Sequence, residues 1–311
     1  MKPIGILAVL MTVMAAMAHG AMAQTPVQPF TPGGVVITTV ADQRESKDVD
    51  GVGLVTSTVT AAGVDSNTGA PYRAWASGRS FIGPGTIQAA SAASYAGSQV
   101  YAATFASVSL SDALTFDSGV AGQALKVTYR IQVVGSASLA QDAGGSTRYD
   151  TTNGFWSWQL AQGLNGSGTR MFTGAYANGD GTTSPYLYGD RPLGGGDSGF
   201  GWYEVTADVV SGQAAQLSFD MRTTLSSPTI EGGLSGGGHV DVNAYWGGIR
   251  SVTTADGDSV AYALSADSGF DYTRSYAIAV VPEPASIVLM GLGALALIAG
   301  GYVRRRRSVS K

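Results

Sequence analysis

The stretch from Leu125 to Val133 constrains this chain most. Leu125, Val127, Tyr129, Ile131 and Val133 are apolar, and the residues between them, Lys126, Thr128, Arg130 and Gln132, are polar. A strict period of two sends alternate side chains to opposite faces, so the run predicts a β-strand with one face buried and one wet. A helix would scatter the same apolar residues around its whole circumference.

Similar runs recur through the middle of the chain. Val35 to Val40 is dominated by β-branched residues, and Leu54 to Thr60 has the same character. Val100 to Leu110 alternates, and Phe155 to Leu160, Thr169 to Phe172, Tyr203 to Val210 and Gln216 to Arg222 follow. Val240 to Tyr245, Ile249 to Thr253, Ala261 to Leu264 and Tyr276 to Val280 complete the expected strands. The turn sequence Ala255-Asp256-Gly257-Asp258 joins two of them as a hairpin. No long segment has a helical period, and only Ile87 to Tyr95 is expected to form a short helix or turn. Asn178 to Ser184 and Gly189 to Gly199 are glycine-rich and predict long loops. This pattern predicts an all-β fold, a two-sheet β-sandwich of jelly-roll-like style over residues 35–280.

Both ends of the chain are apolar. Lys2 precedes an apolar stretch from Ile4 to Ala18, and Ala21-Met22-Ala23 precedes Gln24. A basic start, a short apolar core and a small-x-small site describe a secretory signal, cut by signal peptidase between Ala23 and Gln24. An uncleaved N-terminal anchor is the other reading, and the clean site favours cleavage. Residues 24–34, with Pro26, Pro29 and Pro32, are expected to be a flexible leader.

The C-terminal end is longer. Ser286 to Val303 carries no charge, and Arg304, Arg305, Arg306 and Arg307 follow it. Such a segment is about 27 Å long as a helix, close to the ~30 Å hydrocarbon layer. The arginines resist crossing, which keeps them cytoplasmic and puts the preceding chain on the far side. Pro282 and Pro284 break any helix upstream. The expectation is therefore a single C-terminal transmembrane helix over 286–303 with a basic tail over 304–311.

Val281, Pro282, Glu283, Pro284 and Ala285, set before an apolar helix and an arginine cluster, resemble the PEP-CTERM sorting signal of Gram-negative bacteria that make exopolysaccharide. The resemblance covers residues 281–311. It implies recognition by an exosortase, a membrane cysteine protease-transpeptidase that cuts near the motif and releases or transfers the ectodomain. The logic is that of other signals whose hydrophobic tail is removed. The precursor would be held in the inner membrane with its ectodomain outside the cytoplasm, then pass to the envelope or the extracellular space. Ser111-Asp112-Ala113-Leu114-Thr115-Phe116 and Ser268-Gly269-Phe270-Asp271-Tyr272 are similar in style to stretches of PEP-CTERM ectodomains.

Composition narrows the ectodomain's partners. Setting aside Lys2, Lys311 and the tail arginines leaves 12 basic residues, against 21 acidic ones without Glu283, a net charge near −9. That balance disfavours nucleic acid and anionic lipid. With no cysteine in the chain, no disulfide holds the fold.

Few residues point to chemistry. Gly196-Asp197-Ser198-Gly199 resembles the nucleophile sequence of trypsin-like serine proteases, but Phe200 stands where that pattern has glycine. The only histidine of the mature chain, His239, follows the serine rather than preceding it. A glycine-rich loop is the better reading, and no catalytic residue is expected. A lone imidazole makes a poor metal site, so no metal centre or cofactor is expected. Asp48-Val49-Asp50-Gly51 and Asn178-Gly179-Asp180-Gly181 offer oxygens for a structural calcium. Both lack the acidic twelfth residue of an EF-hand loop, where Val59 and Gly189 fall. Glu45, Glu204 and Glu231 carry no mark of a glycosidase pair.

Trp156 and Trp158 are two residues apart and share a strand face. Exposed, they would make a stacking platform for sugar rings; buried, they would be core. The expected function is a non-enzymatic envelope or matrix protein, sorted by exosortase and associated with exopolysaccharide or biofilm. A carbohydrate-binding module using Trp156 and Trp158 is the alternative, and a secreted hydrolase the third.

Overall fold

The computed structural model describes residues 31–278 apart from 41–42, 65–68, 70, 97–101, 142–154, 178–182, 196–197 and 227–234. The described residues form fourteen strands and no helix. They are β1 (Thr31–Val40), β2 (Gln43–Asp50), β3 (Gly53–Val64), β4 (Pro71–Gly83), β5 (Thr86–Ala96), β6 (Ala102–Asp117) and β7 (Ala124–Gln141). The second half holds β8 (Phe155–Leu164), β9 (Ser167–Ala177), β10 (Thr183–Gly189), β11 (Gly201–Val210), β12 (Ala214–Ser226), β13 (Ser235–Thr254) and β14 (Ala263–Ala266).

Two antiparallel sheets face each other. The first runs β10-β9-β8-β12-β6-β1-β2, with β14 also paired to β6, and the second runs β11-β7-β13-β5-β4-β3. The alternating run Leu125–Val133 lies in β7, in the second sheet, and its odd-numbered residues are buried as their period requires. Their neighbours in the main core include Phe116, Trp158, Leu217, Phe219 and Trp246.

The interior is divided. A second apolar cluster contains Val40, Val59, Ala61, Ala76, Ala93, Ala102 and Leu225. Along the strands between it and the main core lie Thr38, Ser57, Gly78, Ser91, Thr104 and Thr223. The Ser91 and Thr223 hydroxyls meet at 2.9 Å across the sandwich. A Cβ on Gly78 would stand 2.5 Å from Val36 Cγ1 and 2.7 Å from Thr104 Oγ1. Small residues are required there because the two sheets come close. On the open side, Glu45 of β2 accepts hydrogen bonds from the Ser57 hydroxyl at 2.5 Å and the Thr58 amide at 3.1 Å on β3. These bonds hold its carboxyl below the usual range, led by Ser57 and assisted by Lys47.

Several expectations change. Ile87 to Tyr95 is strand β5, not a helix or turn, and pairs with both β4 and β13. Its alanines suit a helix in isolation, but two flanking strands satisfy its backbone here. The first strand begins at Thr31, so residues 31–34 belong to the sheet rather than to a leader. Strand β10 takes in Thr183 and Ser184 from the first expected loop and Gly189 from the second. Val240 to Thr253 is one strand with register shifts between Trp246 and Ser251, where Gly248 has φ of 84°. Tyr276 to Ile278 is not strand. The turn at Asp256-Gly257 is present, closed by Thr254 N–H donating to Asp258 O at 2.8 Å, but beyond it β13 meets only an isolated bridge at Ser259, and β14 pairs with β6 in the other sheet.

After β14 the chain runs back along the end of the sandwich. Trp246 Nε1 donates to Tyr272 O at 2.7 Å, and Tyr276 N donates to Trp246 O at 2.8 Å. The compact unit ends at Ala277.

Candidate functional site

Trp156 and Trp158 lie on β8 and share a face, as their spacing requires, but that face is the inner one. Trp158 is wholly buried and stacks on Phe200 with ring centres 5.2 Å apart. Trp156 is half-buried and packs against both apolar clusters. The pair is core and offers no platform. The reason is register: β8 pairs with β12 so that Trp158 stands opposite Thr223 and Trp156 opposite Leu225, both of which face inward.

The other sequence candidates separate from one another. Ser198 caps its own turn, accepting from Phe200 N at 3.3 Å. Gly199 is packed against Met171 and Trp158, which leaves no room for a side chain. Asp48 and Asp50 sit in strand β2, opposite Val35 and Gly33, and not on an encircling loop. Among the described residues no three acidic or histidine side chains converge as a metal site would need. Glu204 pairs with Arg130 across β11 and β7 at 2.7 Å. Residues 178–181, Glu231, Ala21, Ala23, Gln24 and the tail from Val281 to Arg307 lie outside the described residues, as does the expected helix 286–303.

His239 stands on the outer face of the second sheet, beside a shallow depression of about 280 Å³. Its floor is Ala90 and Ala92 on β5; Ser77 and Arg79 of β4 form one wall, His239 and Asp241 of β13 the other. The imidazole contacts the Ser136 hydroxyl through Nε2 at 3.0 Å and the Ser138 hydroxyl through Nδ1 at 2.8 Å. Asp241 accepts from Arg79 and Gln88 at 3.0 Å and from Asn243 at 3.1 Å. The carboxylate is thus engaged by three donors on its own sheet, while both ring nitrogens meet serines. A triad needs a carboxylate on the histidine and a nucleophile on its other nitrogen; these hydrogen bonds do not make one.

A second surface lies on the outer face of the first sheet. Phe172 of β9 stands opposite Tyr188 of β10, Tyr186 of β10 stands opposite Gly174 and meets Tyr176 diagonally, and Phe155 of β8 lies beside Tyr176. Ring centres are 5.0 Å apart for Tyr176 and Tyr186, 5.4 Å for Phe172 and Tyr186, and 5.7 Å for Tyr186 and Tyr188. Tyr186 lies across Gly174, where a Cβ would stand 2.3 Å from the Tyr186 Oη. Burial pushes the Tyr186 hydroxyl above the usual tyrosine range, and the neighbouring Tyr176 and Tyr188 add to it. Tyr176 is 42% exposed and Tyr188 65%. Sequence reasoning missed this group because Tyr186 and Tyr188 fell beside stretches read as loops. Their i, i+2 spacing, the same signal that singled out the tryptophans, could have found them.

Residues 280–307 match the family model of the PEP-CTERM protein-sorting motif. No curated protein matches the chain. The match spans Val281 to Ala285, the apolar stretch and all four arginines. Such a motif implies export and handling by an exosortase, with a destination in the envelope or outside the cell. The chain thus carries a PEP-CTERM protein-sorting motif at residues 280–307.

Proposed function

We propose that this is a non-enzymatic protein of the cell envelope or extracellular matrix, associated with exopolysaccharide or biofilm. Its precursor is held in the inner membrane by the helix 286–303, with the arginines in the cytoplasm. An exosortase cuts near Pro282-Glu283-Pro284 and frees an ectodomain of jelly-roll-like style. The observation that carries the reading is the sorting motif at 280–307, joined to an all-β body. The non-enzymatic part is supported by the engagement of His239 with two serines and of Asp241 with three donors.

The test replaces Pro282, Glu283 and Pro284 with alanine in a strain that carries an exosortase. The variant should accumulate as an uncut, membrane-bound precursor while the parent chain is processed. Equal processing of the two would overturn the reading.

A further inference from the structure

We propose that the outer face of β8, β9 and β10 binds a neutral polysaccharide, whose sugar rings stack on Tyr176 and Tyr188, with Tyr186 packed beneath them as support. The proposal deepens the polysaccharide part of the function above and rests on its placing the ectodomain outside the cell. It replaces the tryptophan pair, which faces inward, with a different set of rings on the opposite face of the same sheet.

Four observations carry it. First, the rings form a close-packed pavement in which Tyr186 packs on both Tyr176 and Phe172, and the exposed ring surface belongs to Tyr176 and Tyr188. Interplanar angles are 17° for Phe172 and Tyr188, 30° for Tyr176 and Tyr186, 37° for Phe172 and Tyr186, and 41° for Tyr186 and Tyr188. A pyranose presents a flat C–H face of about one ring's breadth, which the exposed sides of Tyr176 and Tyr188 can take. Second, the pavement is built. Gly174 leaves the space in which Tyr186 lies against the sheet, and the Trp156 carbonyl also stands 2.4 Å from where its Cβ would be. Any side chain there would lift the ring.

Third, the border on the β12 side is polar and balanced in charge. On β12, next to β8, Arg222 makes a two-pronged pair with Asp220 at 2.9 and 3.1 Å. Gln159 of β8 stands between Arg222 and Phe172 in the pairing. Amide, guanidinium and carboxylate give donors and acceptors to sugar hydroxyls without a net charge. Stacked aromatics also serve single-stranded nucleic acid, but such sites track the backbone with a positive groove. Here Arg222 is paired with Asp220, Arg170 of β9 is a further exposed arginine on this face, and the ectodomain is near −9. Fourth, β10 is an edge strand that carries Pro185. Proline lacks the N–H that strand addition requires, which disfavours a peptide partner added at this edge.

The test uses the full chain in a non-ionic detergent, run on native gels containing hydroxyethylcellulose, galactomannan, dextran, alginate or no polymer. At least one of the three neutral polymers should retard the parent chain, and alginate should not. In that gel Tyr176→Ala/Tyr188→Ala should weaken binding about tenfold or more, since aromatic anchors carry most of such interfaces. Tyr176→Phe/Tyr188→Phe should keep most of it, because the stacking face survives. Both rings are exposed, so the melting temperature of either variant should stay close to the parent's. The proposal is overturned if no neutral polymer retards the chain, or if the alanine pair runs as the parent does. It is also overturned if alginate or an oligo(dT) strand binds as strongly as the best neutral polymer, or if the alanine pair instead converts a dimer to a monomer. Tail processing is read separately, so failure here leaves the sorting result standing.

Discussion

Tyr272 donates its hydroxyl proton to Asp112 Oδ2 at 2.8 Å, joining the chain after the last strand to the buried middle of β6. Ser268 adds its amide to Oδ1 at 3.1 Å and its hydroxyl to Oδ2 at 2.5 Å, and Ala113 N donates to Oδ1 at 2.9 Å. Asp112 is fully buried, and these four donors replace the water it has lost. The segments Ser111–Phe116 and Ser268–Tyr272, far apart in sequence, thereby form one latch. It holds the end of the sandwich, with Pro282 following four positions after Ile278.

Asp112→Ala should destabilise the fold by about 3–5 kcal/mol, because it leaves four buried or half-buried donors without their acceptor. Tyr272→Phe should cost about 1–3 kcal/mol, the loss of one hydrogen bond with the ring packing kept. Urea denaturation of the full chain, followed by tryptophan fluorescence, measures both. A change below 1 kcal/mol for Asp112→Ala would show that the latch is dispensable.

The stability of the sandwich should fall in alkali. Burial, first of all, raises the hydroxyl pKa of Tyr129, Tyr203 and Tyr272 above the ordinary value of 10.0. Asp112 adds to the rise at Tyr272. Above pH 10 the unfolded chain releases these protons while the folded chain still holds them, so unfolding gains with pH. The contribution is complete below pH 10 and is lost progressively above it, by about 1.4 kcal/mol per pH unit for each tyrosine. Urea midpoints should be level from pH 8 to 9.5 and drop between pH 10 and 12. A level profile through pH 12 would contradict the buried, neutral state of these groups.

Trp158→Ala should cost about 3–5 kcal/mol, as large truncations in a close-packed core do. Trp75, 40% exposed on β4, is the control: Trp75→Ala should change stability by less than about 1 kcal/mol. Thermal melts of the two variants would reverse the assignment of Trp158 to the core if their order were inverted.

Gly174→Ala should lower stability by about 1–3 kcal/mol, since its methyl would press on the Tyr186 ring and the Trp156 carbonyl. It should also weaken retention by the polysaccharide gel, because the ring must leave the pavement. A variant as stable and as well retained as the parent would show that Tyr186 does not depend on the glycine.

Intact mass of the processed protein should correspond to a chain that begins at Gln24 and stops near Pro284. A mass that includes residues 286–311 would mean the tail is kept as a permanent anchor.

Much of the strand content was legible because half-buried strands write their period into the sequence, as Leu125 to Val133 does. Strands that depend on neighbours were not. Gln43 to Asp48 is charged or polar throughout, yet pairs with β1 as an edge strand, which has no need of two apolar faces. The run of alanines and serines in β5 suits a helix or turn by its composition alone. It is a strand because small side chains suit the narrow part of the sandwich, a demand set by the opposite sheet. Trp156 and Trp158 share a face by spacing alone, but which face depends on pairing with β12.

By itself the sequence determined the sorting tail, the all-β class and the acidic, cysteine-free character of the body. These are written in contiguous residues, where hydropathy, charge and period act locally. Tertiary structure decided which aromatics are core and which are pavement, and it brought Asp112 to Ser268 and Tyr272. Those outcomes rest on the register between strands far apart in sequence, and a shift of one residue turns every side chain to the other face.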